Sequence, residues 1–115
     1  SVPLARAEAE SAEPLPPPVW RTVLTPAELA TMPAEGTDTE LTLRTAFSAK
    51  EAYYKWFRST GRSEPVGFHD ITVRRQGGTL CFRAETPGRF PEPDGAVVRI
   101  QRWLMTVAWS PAAVQ

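Results

Sequence analysis

Apolar and polar residues change their period once along this chain, close to Gly61. Upstream, Leu43, Ala46, Phe47, Lys50, Tyr54 and Phe57 recur at helical spacing with Tyr53 beside them, and no Pro or Gly interrupts. The spacing predicts one helix from Asp38 to Ser59, about five to six turns long, opened by the capping box Thr37-Asp38-Thr39-Glu40 and ended by Gly61. Downstream the period is two. His69–Arg75 and Thr79–Glu85 read as strands joined by a hairpin turn at Gln76-Gly77-Gly78. Ala96–Ser110 reads as one long strand, or as two broken near Gln101. Its Val97, Ile100, Trp103, Met105, Val107 and Trp109 are expected to supply most of the remaining core.

Seven of the twelve prolines precede Ala34, and they punctuate the first third of the chain. Ser1–Ala9 alternates only loosely, as a short edge strand does. Pro14-Leu15-Pro16-Pro17-Pro18 predicts an extended connector. Thr25-Pro26-Ala27-Glu28 is a helix start, with Thr as N-cap, Pro at the first helical position and Glu returning to the cap. Pro33 and Gly36 stop that helix early. Thr86–Gly95, with three prolines and two glycines, reads as a long exposed connection. The fold class that follows is α+β, an antiparallel sheet packed on one long helix. It divides into a strand and Pro-rich connector over 1–24, a helical part over 25–60 and strands over 61–115.

Composition narrows the function classes. The 115 residues suit one domain, and 42% hydrophobic with 23% charged residues is an ordinary globular balance. Thirteen Lys and Arg against thirteen Asp and Glu argue against a simple basic nucleic-acid binder. The neutral total divides, however. Up to Thr42 there are seven acids against Arg6 and Arg21, a net of −5, and from Leu43 the net is +5. Chance segregation explains this as well as an acidic metal-binding side facing a basic, partner-receiving surface. No apolar run approaches the ~20 residues of a membrane span, and Ser1–Ala7 has no apolar leader core. Cys81 stands alone, which excludes an internal disulfide or a cysteine zinc site. A reduced, cytoplasmic setting is the expectation.

The candidate chemistry lies in Phe47-Ser48-Ala49-Lys50-Glu51-Ala52-Tyr53-Tyr54-Lys55. Glu51 and Lys55, four apart, project from one helix face, and Lys50 sits about 100° around the axis. By itself this is a common solvated surface pair. The string Phe-Ser-Ala-Lys-Glu-Ala-x-x-Lys, however, resembles the signature helix of the 4′-phosphopantetheinyl transferases of the surfactin and enterobactin type. Trp56-Phe57, Thr60-Gly61-Arg62, Gly67-Phe68-His69-Asp70-Ile71-Thr72-Val73 and the closing Arg102-Trp103 with Leu104–Trp109 are similar to the same branch. The family's Gly-Ile/Val-Asp-x-Glu motif is matched by Arg6-Ala7-Glu8-Ala9-Glu10, where Glu8 stands for the aspartate and the glycine is lost.

The resemblance implies transfer of 4′-phosphopantetheine from coenzyme A to a serine of an acyl or peptidyl carrier protein, in fatty acid, polyketide or nonribosomal peptide biosynthesis. It implies magnesium held by Glu8, Glu10 and Glu51, with Glu51 as base toward the serine. Lys50 and Lys55 would neutralise phosphate charge during transfer. Carboxylates at i and i+2 of a strand share a face, and a hard cation takes such oxygens. Transferases of this type are pseudo-dimers with the active site between two halves, and this chain resembles the C-terminal half. Three arrangements follow: a second half on another chain, self-association, or a non-catalytic relative. The alternative function is therefore a domain that keeps the fold and binds a carrier or partner protein without catalysis.

Other residues read as structural. His69, the only histidine, excludes a histidine metal cluster. Cys81, between Leu80 and Phe82, is expected to be a buried small hydrophobe. Trp20, Trp56, Trp103 and Trp109 read as core or interface anchors, without the basic stripe of a nucleic-acid platform. Gly77-Gly78 is too short for a phosphate loop. Arg58, Arg62, Arg74 and Arg75 suit either solvent or an acidic carrier helix.

Overall fold

The computed structural model describes residues 6–11, 17–31, 37–100 and 103–110, with backbone alone for 6–11, 17–19, 37–40, 100 and 103. In chain order the elements are β1 (Arg6–Ser11), α1 (Pro17–Val23), α2 (Pro26–Ala30), α3 (Thr37–Ser59), β2 (Ile71–Gln76), β3 (Thr79–Ala84), β4 (Asp94–Ile100) and β5 (Trp103–Trp109). The expected helix stop at Pro33 and Gly36, the residues Glu13–Pro16 and the Gln101-Arg102 break lie outside the described residues. The expected extended connector ends at Pro17, where α1 begins instead. Proline is tolerated there because a helix's first turn leaves its N–H groups without intrahelical partners.

All strand pairs are antiparallel, in the order β1-β5-β4-β3-β2. Gly77, at φ 61°, supplies the left-handed residue of the two-residue β2–β3 turn. β1 takes the far edge, with Ala7 and Ala9 opposite Ala108 and Thr106, and Glu8 and Glu10 opposite Val107 and Met105.

Helix α3 crosses one face of this sheet. Ala49, Ala52, Tyr53, Trp56 and Phe57 pack on Ile71, Leu80, Phe82, Val97, Leu104 and Ala108. Tyr53 stacks on Phe57 with ring centroids 6.1 Å apart, and Phe57 meets Phe90 edge-on at 5.7 Å. A hydroxyl pair, Ser48 to Thr106 at 2.8 Å, pins α3 to β5 within this layer. The opposite side of α3 is also covered: Leu43 and Ala46 join Val23 and Leu24, with Trp20, Phe47 and Phe68 packed around them. Burial on two sides explains why most α3 residues from Leu43 to Phe57 are small or apolar. Tyr54 departs from the expected stripe and is exposed.

Two expectations are corrected by strand register. Among the β4 and β5 residues whose side chains are described, the buried ones are Gly95, Val97, Leu104, Thr106 and Ala108; the expected core side chains of Ile100 and Trp103 lie outside those described. Met105, Val107 and Trp109 alternate onto the face away from α3 and are only half-buried. Cys81 is exposed for the same reason, because Leu80 and Phe82 take the helix-facing positions of β3.

Gly95 is required by packing. A Cβ there would lie 2.5 Å from Phe82 Cε2 and 3.1 Å from Leu80 Cβ. Gly95→Ala is expected to destabilise by about 1–3 kcal/mol through overpacking, read as a lower midpoint in chemical denaturation. An unchanged midpoint would mean that the Phe82 ring has room to move.

Candidate active site

The signature residues sit on the last three turns of α3. Glu51 is half-buried and Lys55 exposed. Both border a cleft of about 510 Å³ closed on its far side by Val66, Gly67 and Phe68 and floored by Tyr53 and Ile71. That volume is within the range of small-molecule sites, and its wall is mostly apolar. The far wall is a tight turn. Gly67 N–H donates to Asp70 Oδ2 at 2.7 Å and Asp70 N–H to Gly67 O at 3.1 Å, which closes the 67–70 turn. His69 Nε2 lies 2.8 Å from Arg21 O and ties the turn to α1, a structural use of the only histidine.

Tyr53 closes the cleft floor from within the core, donating its hydroxyl to Pro91 O at 2.6 Å. Burial raises its pKa above the ordinary tyrosine value, so the phenol stays neutral and serves as a donor. Beside the cleft, Arg58 lies over the Tyr54 ring and donates to its hydroxyl, while Arg62 makes a 2.7 Å ion pair with Glu64 and covers the Phe57 ring.

Lys50 differs from the expectation. Its side chain is 3% exposed, and its ammonium donates to Val23 O at 2.5 Å, Glu28 Oε1 at 2.6 Å and Phe68 O at 2.7 Å. An ammonium has three donors, so none remains for a coenzyme A phosphate. Burial lowers its pKa from the ordinary lysine value, with Glu28 opposing that shift. The partner, Glu28, comes from the capping box of α2. Its Oε1 also accepts from Thr25 N–H at 2.7 Å, and its Oε2 accepts from Val73 N–H at 2.7 Å on the open edge of β2. Thr25 Oγ1 and Thr72 Oγ1 are 2.9 Å apart, and Thr72 donates to Glu85 at 2.7 Å. The network therefore links both short helices, α3, the 67–70 turn and β2. Glu28 was legible in the sequence as a cap; its partner 22 residues away was not.

A family model of the 4′-phosphopantetheinyl transferase superfamily matches residues 6–108. The chain belongs to this superfamily. No curated protein matches the chain. Membership makes phosphopantetheine transfer the chemistry of this fold. The superfamily uses coenzyme A as donor, carrier proteins as acceptors, and commonly magnesium.

The described residues fit a hard cation at one point of this 4′-phosphopantetheinyl transferase domain. Glu51 presents a half-buried carboxylate to the cleft, and no described residue donates a hydrogen bond to it. Among the described residues no three His, Cys, Asp or Glu side chains cluster as a metal site. Glu8 and Glu10 are described by backbone alone; their β1 positions pair with Val107 and Met105, on the sheet face away from α3, so the register does not place them beside Glu51. No helix among the described residues is long and apolar enough to cross a membrane.

Proposed function

We propose that this domain transfers 4′-phosphopantetheine from coenzyme A to a serine hydroxyl of an acyl or peptidyl carrier protein, in the cytoplasm. The observation that carries this reading is that Glu51 and Lys55 both line one apolar-walled cleft in a chain of this superfamily. Glu51 takes the serine proton, directly or through a water. The serine oxygen bonds to the phosphorus that carries the pantetheine arm. The pyrophosphate P–O bond breaks, and adenosine 3′,5′-bisphosphate departs with the electron pair. Lys55, exposed at the cleft, carries a point charge suited to negative charge growing on the phosphates. Lys50 stays inside the fold and acts on this chemistry only through position. Glu51 would hold magnesium, which when bound supplies Lewis-acid polarisation of the pyrophosphate. Glu8 and Glu10, given to the same ion by the resemblance, take β1 positions paired with Val107 and Met105 on the sheet face away from α3, so this register does not bring them to Glu51.

A second half completes the site in this reading. The sheet face away from α3 carries Ala96, Val98, Met105, Val107 and Trp109, with Val98 45% exposed. A contiguous apolar stripe of that kind marks an interaction surface. The second half is another chain or a second copy of this one.

The test is incubation of the chain, alone and with any co-encoded partner, with apo-carrier protein, coenzyme A and magnesium. Mass spectrometry is expected to find the phosphopantetheine mass on the carrier serine. No transfer in either arm removes the catalytic reading and leaves a binding domain. Full activity from a sedimenting monomer removes the second half.

A further inference from the structure

We infer that Glu28 and Lys50 are positioning residues, a buried clasp that holds the far wall of the cleft against the helix carrying Glu51 and Lys55. This rests on the transfer reading for its kinetic consequence, but the clasp itself stands on geometry. Lys50 immediately precedes Glu51, so whatever fixes Lys50 fixes the rotation of α3 at the reacting carboxylate. One of its donors goes to Phe68 O at 2.7 Å, and Phe68 is the cleft wall facing that helix. The other two hold the end of α1 through Val23 O and the start of α2 through Glu28.

Glu28 makes the clasp rigid. Its two oxygens accept from Thr25 N–H, Lys50 Nζ and Val73 N–H, so it cannot follow Lys50 outward without uncapping α2 and freeing the β2 edge. Three acceptors spread around one nitrogen suit an ammonium better than a planar guanidinium fork. Stability alone does not account for such a pair, since a buried ion pair is often matched or exceeded by packed neutral side chains of similar volume. Transfer, by contrast, depends on holding the serine oxygen, the base and the phosphate in line, and a displacement near 1 Å can cost on the order of 100-fold in rate.

The test removes both charges together, so that neither is left buried alone. The paired variant Glu28→Gln with Lys50→Met keeps an amide oxygen for one backbone N–H and an unbranched side chain in the Lys50 channel. It is assayed with the same partner half or second copy as the wild type. The expected result is a folded protein whose kcat falls on the order of 10- to 100-fold, with KM for coenzyme A changing less than about threefold. Amide hydrogen exchange over residues 66–71 is expected to accelerate at least tenfold while Leu80, Phe82 and Leu104 keep their protection. Lys50→Arg retains the charge and is expected not to restore kcat.

A folded variant with kcat within about twofold of the wild type overturns the positioning role. Unchanged exchange at 66–71 overturns the clasp. Should the wild-type domain transfer nothing, the transfer reading has failed and the exchange result alone decides the clasp, so the two failures are separable. Should the paired variant not fold, the exchange comparison on wild type against Phe68→Ala decides. Phe68→Ala keeps the carbonyl that Lys50 holds, so residues 67–70 should remain protected, and their loss overturns the clasp.

Discussion

Glu51→Gln is expected to lower kcat/KM for carrier modification by about 10²- to 10⁴-fold while leaving the thermal midpoint unchanged. The substitution keeps the size and hydrogen-bonding shape of the side chain but removes the charge and the basic oxygen. In free-energy terms the loss is about 3–5 kcal/mol of transition-state stabilisation. The unchanged midpoint follows from the fold. Glu51 is half-buried and no described residue donates to its carboxylate, so no hydrogen bond among the described residues is lost. A magnesium titration of the variant separates its two roles. If Glu51 is chiefly a ligand, saturating magnesium restores kcat; if it is the base, the loss persists at any magnesium concentration. Retained transfer in Glu51→Gln would remove Glu51 from the chemistry altogether.

Lys50→Met alone is expected to be among the most destabilising single changes in the domain, by about 3–5 kcal/mol. It leaves Glu28, with a side chain 5% exposed, as a buried carboxylate without its cation. It also strips the donor from Val23 O and Phe68 O, which water cannot easily replace at that depth. Against a typical total stability of about 5–15 kcal/mol, this is a large share, and urea denaturation would show it as a lower midpoint. Glu28→Gln in the same background is expected to recover part of the loss, giving a non-additive cycle. A cost below about 1 kcal/mol would mean that the pair is hydrated in solution.

The two expectations are opposite in kind although the residues are neighbours in sequence. Adjacent helical positions point about 100° apart, so Lys50 falls on the side covered by α1 and α2 while Glu51 falls at the cleft. Helical spacing announced that divergence. It did not announce that the Lys50 side would be covered, because α1 and α2 have no periodic signal of their own length and α1 begins within a proline run. Cys81 and the β5 aromatics illustrate the same limit in strands. Alternation was clear from Thr79 to Glu85 and from Ala96 to Ser110. Which of the two alternating sets faces α3 depends on register against neighbouring strands, and a one-residue shift exchanges them.

The features legible in the order of residues are local and periodic: the long helix, the Gly77-Gly78 hairpin, the Thr25–Glu28 capping box and the signature string from Phe47 to Lys55. These rest on contacts within a few residues, where spacing alone dictates who meets whom. The β1–β5 pairing, the turning of Met105, Val107 and Trp109 away from the helix, and the closure of Lys50 on Glu28 and Phe68 emerge from the packed fold. An ammonium takes whichever oxygens surround it. Those oxygens come from chain segments 18 to 27 residues away, whose arrangement is set by burial of the whole core and not by any local pattern.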